Sequence, residues 1–146
     1  MPRPLGHIRI MASSRVLLNL ERADAVFKRA YHTAYNRAIA KGKDSADAEQ
    51  FGHELAVRKY TDYVCAKKIH KDVYDAEIGG RRFEKGPLWD FAKAALDLNA
   101  KFDEPLIELV MSCKDEPESA LPIFRNIDVR DELTINGRLA TSGSPI

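Results

Sequence analysis

The sequence contains little cysteine, and its two cysteines are far apart. Cys65 and Cys113 are the only thiols among 146 residues, and neither belongs to a CxxC pair. Two cysteines so far apart, without a CxxC pair, indicate neither a disulfide framework nor a zinc knuckle. We therefore expect reduced, buried thiols, no metal site and no cofactor.

Long apolar runs are also missing. No stretch approaches the roughly 20 apolar residues of a membrane-spanning helix, and the N-terminus lacks the uninterrupted apolar run of a signal peptide. Internal repeats and low-complexity segments are absent too. The sequence therefore predicts a protein that is made in the cytoplasm and has no contact with a membrane.

Recognisable catalytic patterns are absent as well. The four histidines are far apart in sequence, and Cys65 has no histidine at a same-face spacing. Glu104 and Glu108 would share a helix face, but capping and surface charge explain that spacing. Gly79-Gly80 lacks the GxxxxGK[ST] spacing of a P-loop. We expect no catalytic residue and a protein that is not an enzyme.

What is present is the composition of a folded domain. Apolar residues make up 45% of the chain and charged residues 31%, which is too hydrophobic for complete disorder. The length is usual for one domain with tails. The charge is unevenly distributed, because residues 1–43 carry a net +7 and residues 72–146 a net −6. This polarity favours contacts between the two ends, within one chain or between subunits.

The clearest pattern lies in residues 23–64, where two amphipathic helices are predicted. In the first, apolar residues recur at the helical steps of three and four. These are Ala23, Val26, Phe27, Ala30, Tyr31, Ala34, Tyr35 and Ala38. Gly42 interrupts the pattern, and Asp44 or Ser45 is placed to cap a second helix of the same kind. The short connection predicts an αα-hairpin.

This region resembles the ChaB-like family, which consists of small helical proteins of bacteria and of phage and other viral genomes. The likeness is carried by Val26-Phe27, Ala30-Tyr31, Ala34-Tyr35-Asn36, the Gly42 turn, Ala46, Ala48, Ala56-Val57 and Tyr60. The resemblance implies a helical fold more than an activity. The historical naming of the family suggests a regulator of ion transport, for which these residues offer no support.

The first helix of the hairpin carries four basic residues between its apolar positions: Lys28, Arg29, Arg37 and Lys41. Its aromatic residues lie on the apolar stripe, so stacking on nucleic-acid bases is not indicated. Three interpretations of the basic residues stay open. They form a solvated helix face, contact an acidic protein surface, or bind nucleic acid.

The rest of the chain divides into an extended arm over residues 1–13, a helical domain over residues 14–113 and a C-terminal arm over residues 114–146. The first helix is expected to run from about residue 14 to about residue 41. The second is expected to continue to Gly79, because nothing in the sequence breaks it earlier.

A third helix is predicted from Pro87, with a buried stripe of Leu88, Phe91, Ala92, Ala95 and Leu98. A short fourth helix should end near Cys113. In the C-terminal arm, Pro117 and Pro122 argue against a long helix. Asn136-Gly137 favours the two-residue turn of a β-hairpin.

A basic loop precedes the third helix. Arg81, Arg82 and Lys85 lie close in sequence to Trp89. The loop is interpreted as a solvated turn or as a site where backbone N–H groups and charges hold a phosphate. Trp89 is interpreted as a core residue or as the anchor of a protein interface, where Trp and Arg are frequent.

Together these patterns predict a mainly α protein, a small helical bundle built on the αα-hairpin with an extended N-terminal arm and a β-hairpin near its C-terminus. A compact body with an arm at each end, together with the resemblance to ChaB-like sequences of phage genomes, implies a non-enzymatic assembly component, a phage virion protein that resembles a connector or adaptor. Its partners would be copies of itself or other structural proteins. The alternative is a nucleic-acid-binding regulator that uses the basic first helix.

Overall fold

The computed structural model describes residues 8–140. This part of the chain forms two compact units. The first, here called the hairpin unit, is Leu20–Arg82. The second, the α/β unit, joins residues 8–19 to residues 83–140. The α/β unit is thus assembled from two segments that the hairpin unit separates in the sequence.

The described residues contain both helices and strands, which correct the predicted fold class. In chain order they are β1 (Ile8–Ser13), α1 (Ser14–Leu17), α2 (Glu21–Ala40), α3 (Ser45–Val64), β2 (Tyr74–Asp75), β3 (Gly80–Arg81), α4 (Trp89–Asp97), β4 (Ile107–Cys113), α5 (Pro117–Asp128) and β5 (Gly137–Ala140). Short 3₁₀ helices follow α3 and α4, at Lys68–Val73 and Leu98–Lys101. The architecture is a mixture of α and β, so the prediction of a mainly α small helical bundle is wrong.

In the hairpin unit, α2 and α3 form the predicted αα-hairpin. Gly42 makes the turn with a φ of 86°, a conformation that favours glycine. The Asp44 carboxylate caps α3 by accepting a hydrogen bond from the Asp47 N–H at 2.8 Å. The helices bury small residues, and Gly52 lies so close to Tyr31 that an added Cβ would be 3.1 Å from its ring and carbonyl. Small side chains therefore set the close approach of α2 and α3.

The first predicted helix is broken between α1 and α2. Leu18 adopts extended backbone there and forms an antiparallel bridge with Lys85. The Leu17 carbonyl accepts a hydrogen bond from the Gly86 N–H at 2.8 Å. Bonds to a segment about 70 residues away have replaced helical bonds at this point.

The second helix ends at Val64 and does not continue to Gly79. Ala66 and Lys68 have φ values of 54° and 57°, which no α-helix contains. After the 3₁₀ helix, β2 and β3 pair antiparallel, with Tyr74 opposite Arg81. The predicted continuation is therefore replaced by a turn and a small two-stranded sheet.

In the α/β unit, β1, β4 and β5 form a parallel sheet in that order. The extended N-terminal arm thus includes a strand of this sheet, while its residues 1–7 and the tail 141–146 lie outside the described residues. The prediction of a fourth helix is wrong, because β4 occupies these residues. Alternate residues of β4 are buried, namely Ile107, Leu109, Met111 and Cys113, so this face of the sheet forms a core.

The crossovers explain why only one face of the sheet is buried. α4 precedes β4, and α5 joins β4 to β5. Both connections move in the same direction across the sheet, so right-handed crossovers place both helices over the same face. Trp89 and Ala92 of α4 and Ile123 and Ile127 of α5 are buried there.

The C-terminal arm differs from its prediction in two ways. α5 is a helix of 12 residues in spite of its two prolines, since Pro117 lies in the first turn, where no N–H is needed. Pro122 lies within the helix, and its carbonyl accepts a hydrogen bond from the Asn126 side chain at 2.9 Å. The predicted β-hairpin around Asn136-Gly137 is wrong, because β5 pairs in parallel with β4.

Asparagine side chains satisfy backbone groups where the segments of the α/β unit meet. The side-chain oxygens of Asn99 and Asn136 accept hydrogen bonds from the N–H groups of Ile107 and Leu109, each at 2.9 Å. The Asn126 oxygen accepts one from the Phe83 N–H at 2.7 Å. These amides take the place of missing backbone partners.

Candidate interaction surfaces

The four basic residues predicted on the first helix are exposed on or just beyond α2, but they do not form one stripe. Lys28 and Arg37 are nine residues apart, which places them on opposite sides of an α-helix. Lys41 lies beyond the last residue of α2. Within residues 8–140, none of Lys28, Arg29, Arg37 and Lys41 forms an ion pair.

A tighter basic group includes a residue that the sequence analysis left out. Arg22, Arg29 and Arg37 are spaced by seven and eight residues, so they lie within about a quarter of the helix circumference. All three are exposed. Arg22 can be identified by this near-heptad spacing. The basic group named in the sequence analysis did not include it.

The arginines of the predicted basic loop are engaged within the hairpin unit. The Arg81 guanidinium carbon lies 3.7 Å from the centroid of the Tyr63 ring. Its Nε donates a hydrogen bond to the Tyr63 carbonyl at 3.1 Å, and its Nη2 lies 3.2 Å from His70 Nδ1. Arg82 pairs with Asp75 at 3.5 Å. These contacts give both arginines a structural role within the hairpin unit.

Trp89 and Lys85 belong to the α/β unit, where Trp89 is a core residue with only 1% of its surface exposed. Lys85 Nζ and Arg130 Cζ lie 5.4 Å and 5.6 Å from the centroid of the indole ring. Lys85 also pairs with Glu132 at 2.7 Å, and its hydrogen bond lowers the pKa of the Glu132 carboxyl. Cation–π contacts from these two side chains to the buried ring help to hold the start of α4 in place.

The other face of the parallel sheet is a surface that the sequence analysis missed. We call it the open face, and its residues are Arg9, Met11, Ser13, Glu108, Val110, Ser112, Gly137 and Leu139. Met11 is 61% exposed and Leu139 50% exposed. An ion pair between Arg9 and Glu108 at 3.3 Å lies at one end. The open face is therefore apolar at its centre and neutral in total charge.

A second apolar surface lies on α4. The sequence predicted that Leu88, Phe91 and Leu98 would be buried, but they are 46%, 64% and 43% exposed. Ala92 of the predicted stripe is buried as expected, but Trp89 is buried beside it and the three large residues of the stripe are exposed. We call these three residues the outer stripe of α4.

The thiol of Cys113, in the parallel sheet, has low reactivity. Cys113 is buried at the carboxyl end of β4, beside the buried Asp115. Burial, followed by the charge of Asp115, raises the pKa of the Cys113 thiol to about 11. Since the thiolate is the nucleophile, Cys113 is protonated and unreactive at neutral pH.

Comparisons of the chain with protein-family models, curated proteins and solved structures found no match. The resemblance of residues 23–64 to the ChaB-like family therefore stays a prediction. Within residues 8–140, no group of three His, Cys, Asp or Glu side chains is arranged to hold a metal ion. No helix in that range has the length and apolar character needed to cross a membrane.

Proposed function

We propose that the protein is a non-enzymatic interaction or assembly component that works through the open face of its sheet. The observation that carries the proposal is the exposure of Met11 and Leu139 on a parallel sheet. Parallel sheets occur almost only with both faces covered. In the α/β unit one face is covered by helices and the other is not, which supports a partner that supplies the second layer.

Covering the apolar side chains of the open face is energetically favourable. Covering the exposed halves of Met11 and Leu139 would contribute about 1 kcal/mol each. Val110, which is half-buried between them, would add to this contribution. The Arg9–Glu108 ion pair lies at the end of the face, so a partner can cover the apolar centre and leave both charges in water. A surface of this kind favours an apolar protein partner over water or nucleic acid.

The place of action follows from the resemblance alone. The likeness of residues 23–64 to ChaB-like sequences of phage genomes supports a role inside a virus particle. There the protein would act as a connector or adaptor between structural proteins.

A second candidate function is binding of nucleic acid through α2. It is favoured by the exposed group Arg22, Arg29 and Arg37, for which no ion pair is found among the described residues. Such a group can neutralise phosphates and would make binding strongly dependent on salt.

The two candidates are separated by one pair of measurements on the full chain. We expect light scattering at moderate salt to show a discrete oligomer, and a titration with duplex and single-stranded DNA to show no binding. A monomer at every concentration would contradict self-assembly. DNA binding that is lost in Arg29→Ala and Arg37→Ala, but kept in the control Lys59→Ala on α3, would favour the regulator.

A further inference from the structure

We infer that the open face of one copy receives the outer stripe of α4 from a second copy, so that the copies assemble head to tail. The inference rests on the proposed function and names its partner. It is carried by two uncovered apolar surfaces in the same unit, of the two shapes that pack against each other in α/β proteins.

The exposed residues of the two surfaces match in kind. The outer stripe presents Phe91 at 64% exposure, with Leu88 and Leu98 on the same side of the helix. The open face presents Met11 at 61% exposure beside Val110. In the contact, large apolar side chains of a helix would meet exposed apolar side chains of the strands, as where helices cover parallel sheets.

One copy cannot satisfy both surfaces. α4 lies over the covered face of the sheet, where Trp89 and Ala92 are buried, and its outer stripe points away from the sheet. The open face points in the opposite direction. The two surfaces thus lie on opposite sides of the α/β unit, and only another copy can bring them together.

The dimensions of the two surfaces agree. The seven residues of β4 span about 23 Å. α4 and the 3₁₀ helix after it span about 21 Å. Three strands are about 14 Å across, and a helix with its side chains is about 10 Å across. A helix of this length can therefore lie along β4 and cover the middle of the open face.

The charges around the surfaces are complementary. Asp90 and Asp97 are exposed beside the outer stripe, one residue before Phe91 and Leu98 respectively. Arg9 lies on the open face, where its Nε pairs with Glu108 at 3.3 Å, but its side chain stays 54% exposed, so a second carboxylate can reach the guanidinium. Asp97 forms an ion pair with Lys93 at 3.2 Å. Asp90 is therefore the stronger partner for Arg9. This arrangement favours one orientation of the helix along the strands.

The contact joins two different surfaces, so it is heterologous. Contacts of this kind close into a ring when the rotation between copies allows it and otherwise form a filament. Assemblies built through this contact therefore grow beyond a dimer.

The test uses two full-length variants, each with one surface destroyed by a charge. Met11→Asp blocks the open face, and Phe91→Asp blocks the outer stripe. We expect each variant alone to be monomeric, because each loses about tenfold or more in self-association when a charge replaces a buried apolar contact. A mixture of equal amounts should form a dimer, since each variant keeps the surface that the other lacks.

Other results would overturn the inference in distinguishable ways. If Phe91→Asp remains oligomeric while Met11→Asp is monomeric, the open faces pair with each other, and the proposed function survives without the head-to-tail contact. If both variants keep the wild-type oligomer, neither surface is used and the proposed function through the open face fails as well. Monomers that do not combine on mixing would also reject the contact.

A second pair of variants guards against damage to the fold. Leu139→Asp and Leu98→Asp alter the same two surfaces at other exposed positions and should reproduce the behaviour of the first pair. Thr33→Asp on the exposed side of α2 is the matched control and should keep the wild-type mass. Circular dichroism and thermal unfolding of each variant check that it is folded before its mass is interpreted.

Discussion

In the hairpin unit, α2 and α3 are joined by a turn of four residues, whereas in the α/β unit Arg9 pairs with Glu108, 99 residues further along the chain. The first unit is held by local contacts between helices. The second is held by pairing between distant segments, which costs more entropy to form. The two units therefore depend on different kinds of interaction, and different substitutions should damage them.

The units also differ in what fills their contacts. α2 and α3 approach through small residues such as Gly52 and Ala56. The α/β unit buries larger side chains, and its asparagines supply hydrogen bonds where regular pairing ends. We therefore expect the helices of the hairpin unit to shift more easily after a substitution than the paired strands of the α/β unit, which require fixed geometry.

The largest expected effect comes from Gly86→Ala in the α/β unit. An added Cβ would lie 2.6 Å from the Val16 carbonyl oxygen and 2.8 Å from the Leu18 nitrogen, and backbone atoms cannot move aside cheaply. We expect the free energy of unfolding, measured in urea, to fall by about 3 kcal/mol.

The matched control is Gly42→Ala in the hairpin unit. No atom lies within 4 Å of its added Cβ, so only the positive φ opposes it, at a cost of about 1 kcal/mol. An equal loss in the two variants would contradict the view that the distant segment fixes Gly86.

The next effect is a dependence on pH that reports on the α/β unit. Burial raises the pKa of the Cys113 thiol from its ordinary value of 9.0 to about 11. Above the lower value the unfolded state loses its proton and the folded state keeps it, so stability is full below it and falls until about pH 11. The fall due to this thiol should be about 2 to 3 kcal/mol.

Chemical unfolding at several pH values compares the wild type with Cys113→Ala. The variant should lack this part of the alkaline loss. Cys65→Ala in the hairpin unit is the control and should keep the loss that Cys113 causes. Identical alkaline slopes in the wild type and Cys113→Ala would show that the thiol is not held protonated.

The hairpin unit was predictable because its signals are local. The helical period of α2, the Gly42 turn and the Asp44 cap all lie within a few residues of the structure that they determine. The ends of the helices were not predictable in the same way. The helix ends at Leu18 because its neighbours Leu17 and Asn19 form backbone hydrogen bonds with Gly86 and Glu84. A pattern in residues 14–41 contains no information about residues 84–86.

The α/β unit was missed because its signals were ambiguous or depend on distant partners. Residues 106–110 are apolar enough for a helix or a strand, and the alternation that marks β4 becomes clear only when Met111 and Cys113 are included. Asn136-Gly137 favours a hairpin locally, but the Asn136 N–H and side chain bond to Leu109 instead. Tertiary pairing overrode the turn signal.

The candidate surfaces were missed for a related reason. The sequence predicted the apolar stripe of α4, and a core position was one of two interpretations of Trp89, but the spacing did not show that Trp89 would be buried in place of Phe91. Trp89 is buried, with Lys85 and Arg130 near its ring, while Phe91 is exposed. Spacing within one helix cannot show which of its apolar sides meets the sheet.

A smaller effect should follow from Asn126→Ala, which tests the role of asparagine in the α/β unit. The change leaves the buried Phe83 N–H without its acceptor at 2.7 Å. We expect unfolding in urea to show a loss of about 2 kcal/mol. Asn36→Ala on the exposed side of α2 is the control and should change stability by less than about 0.5 kcal/mol. Equal small effects would show that the buried amide is replaceable.

The smallest effect, and the sharpest test of local adjustment, is Gly52→Ala between α2 and α3. The added Cβ would lie 3.1 Å from the Tyr31 ring and carbonyl. Crowding of about 1.5 kcal/mol should slightly exceed the gain in helix propensity of about 1 kcal/mol. The net loss is then about 0.5 kcal/mol.

In a Tyr31→Ala background most of this crowding disappears, so the same Gly52→Ala change should stabilise the protein. A double-mutant cycle in urea measures this reversal of sign. Gln50→Ala, on the exposed side of α3, serves as the control and should have the same effect in both backgrounds. If Gly52→Ala also has one effect in both, the Tyr31 ring does not limit the approach of the helices, and small residues are not what holds the hairpin close.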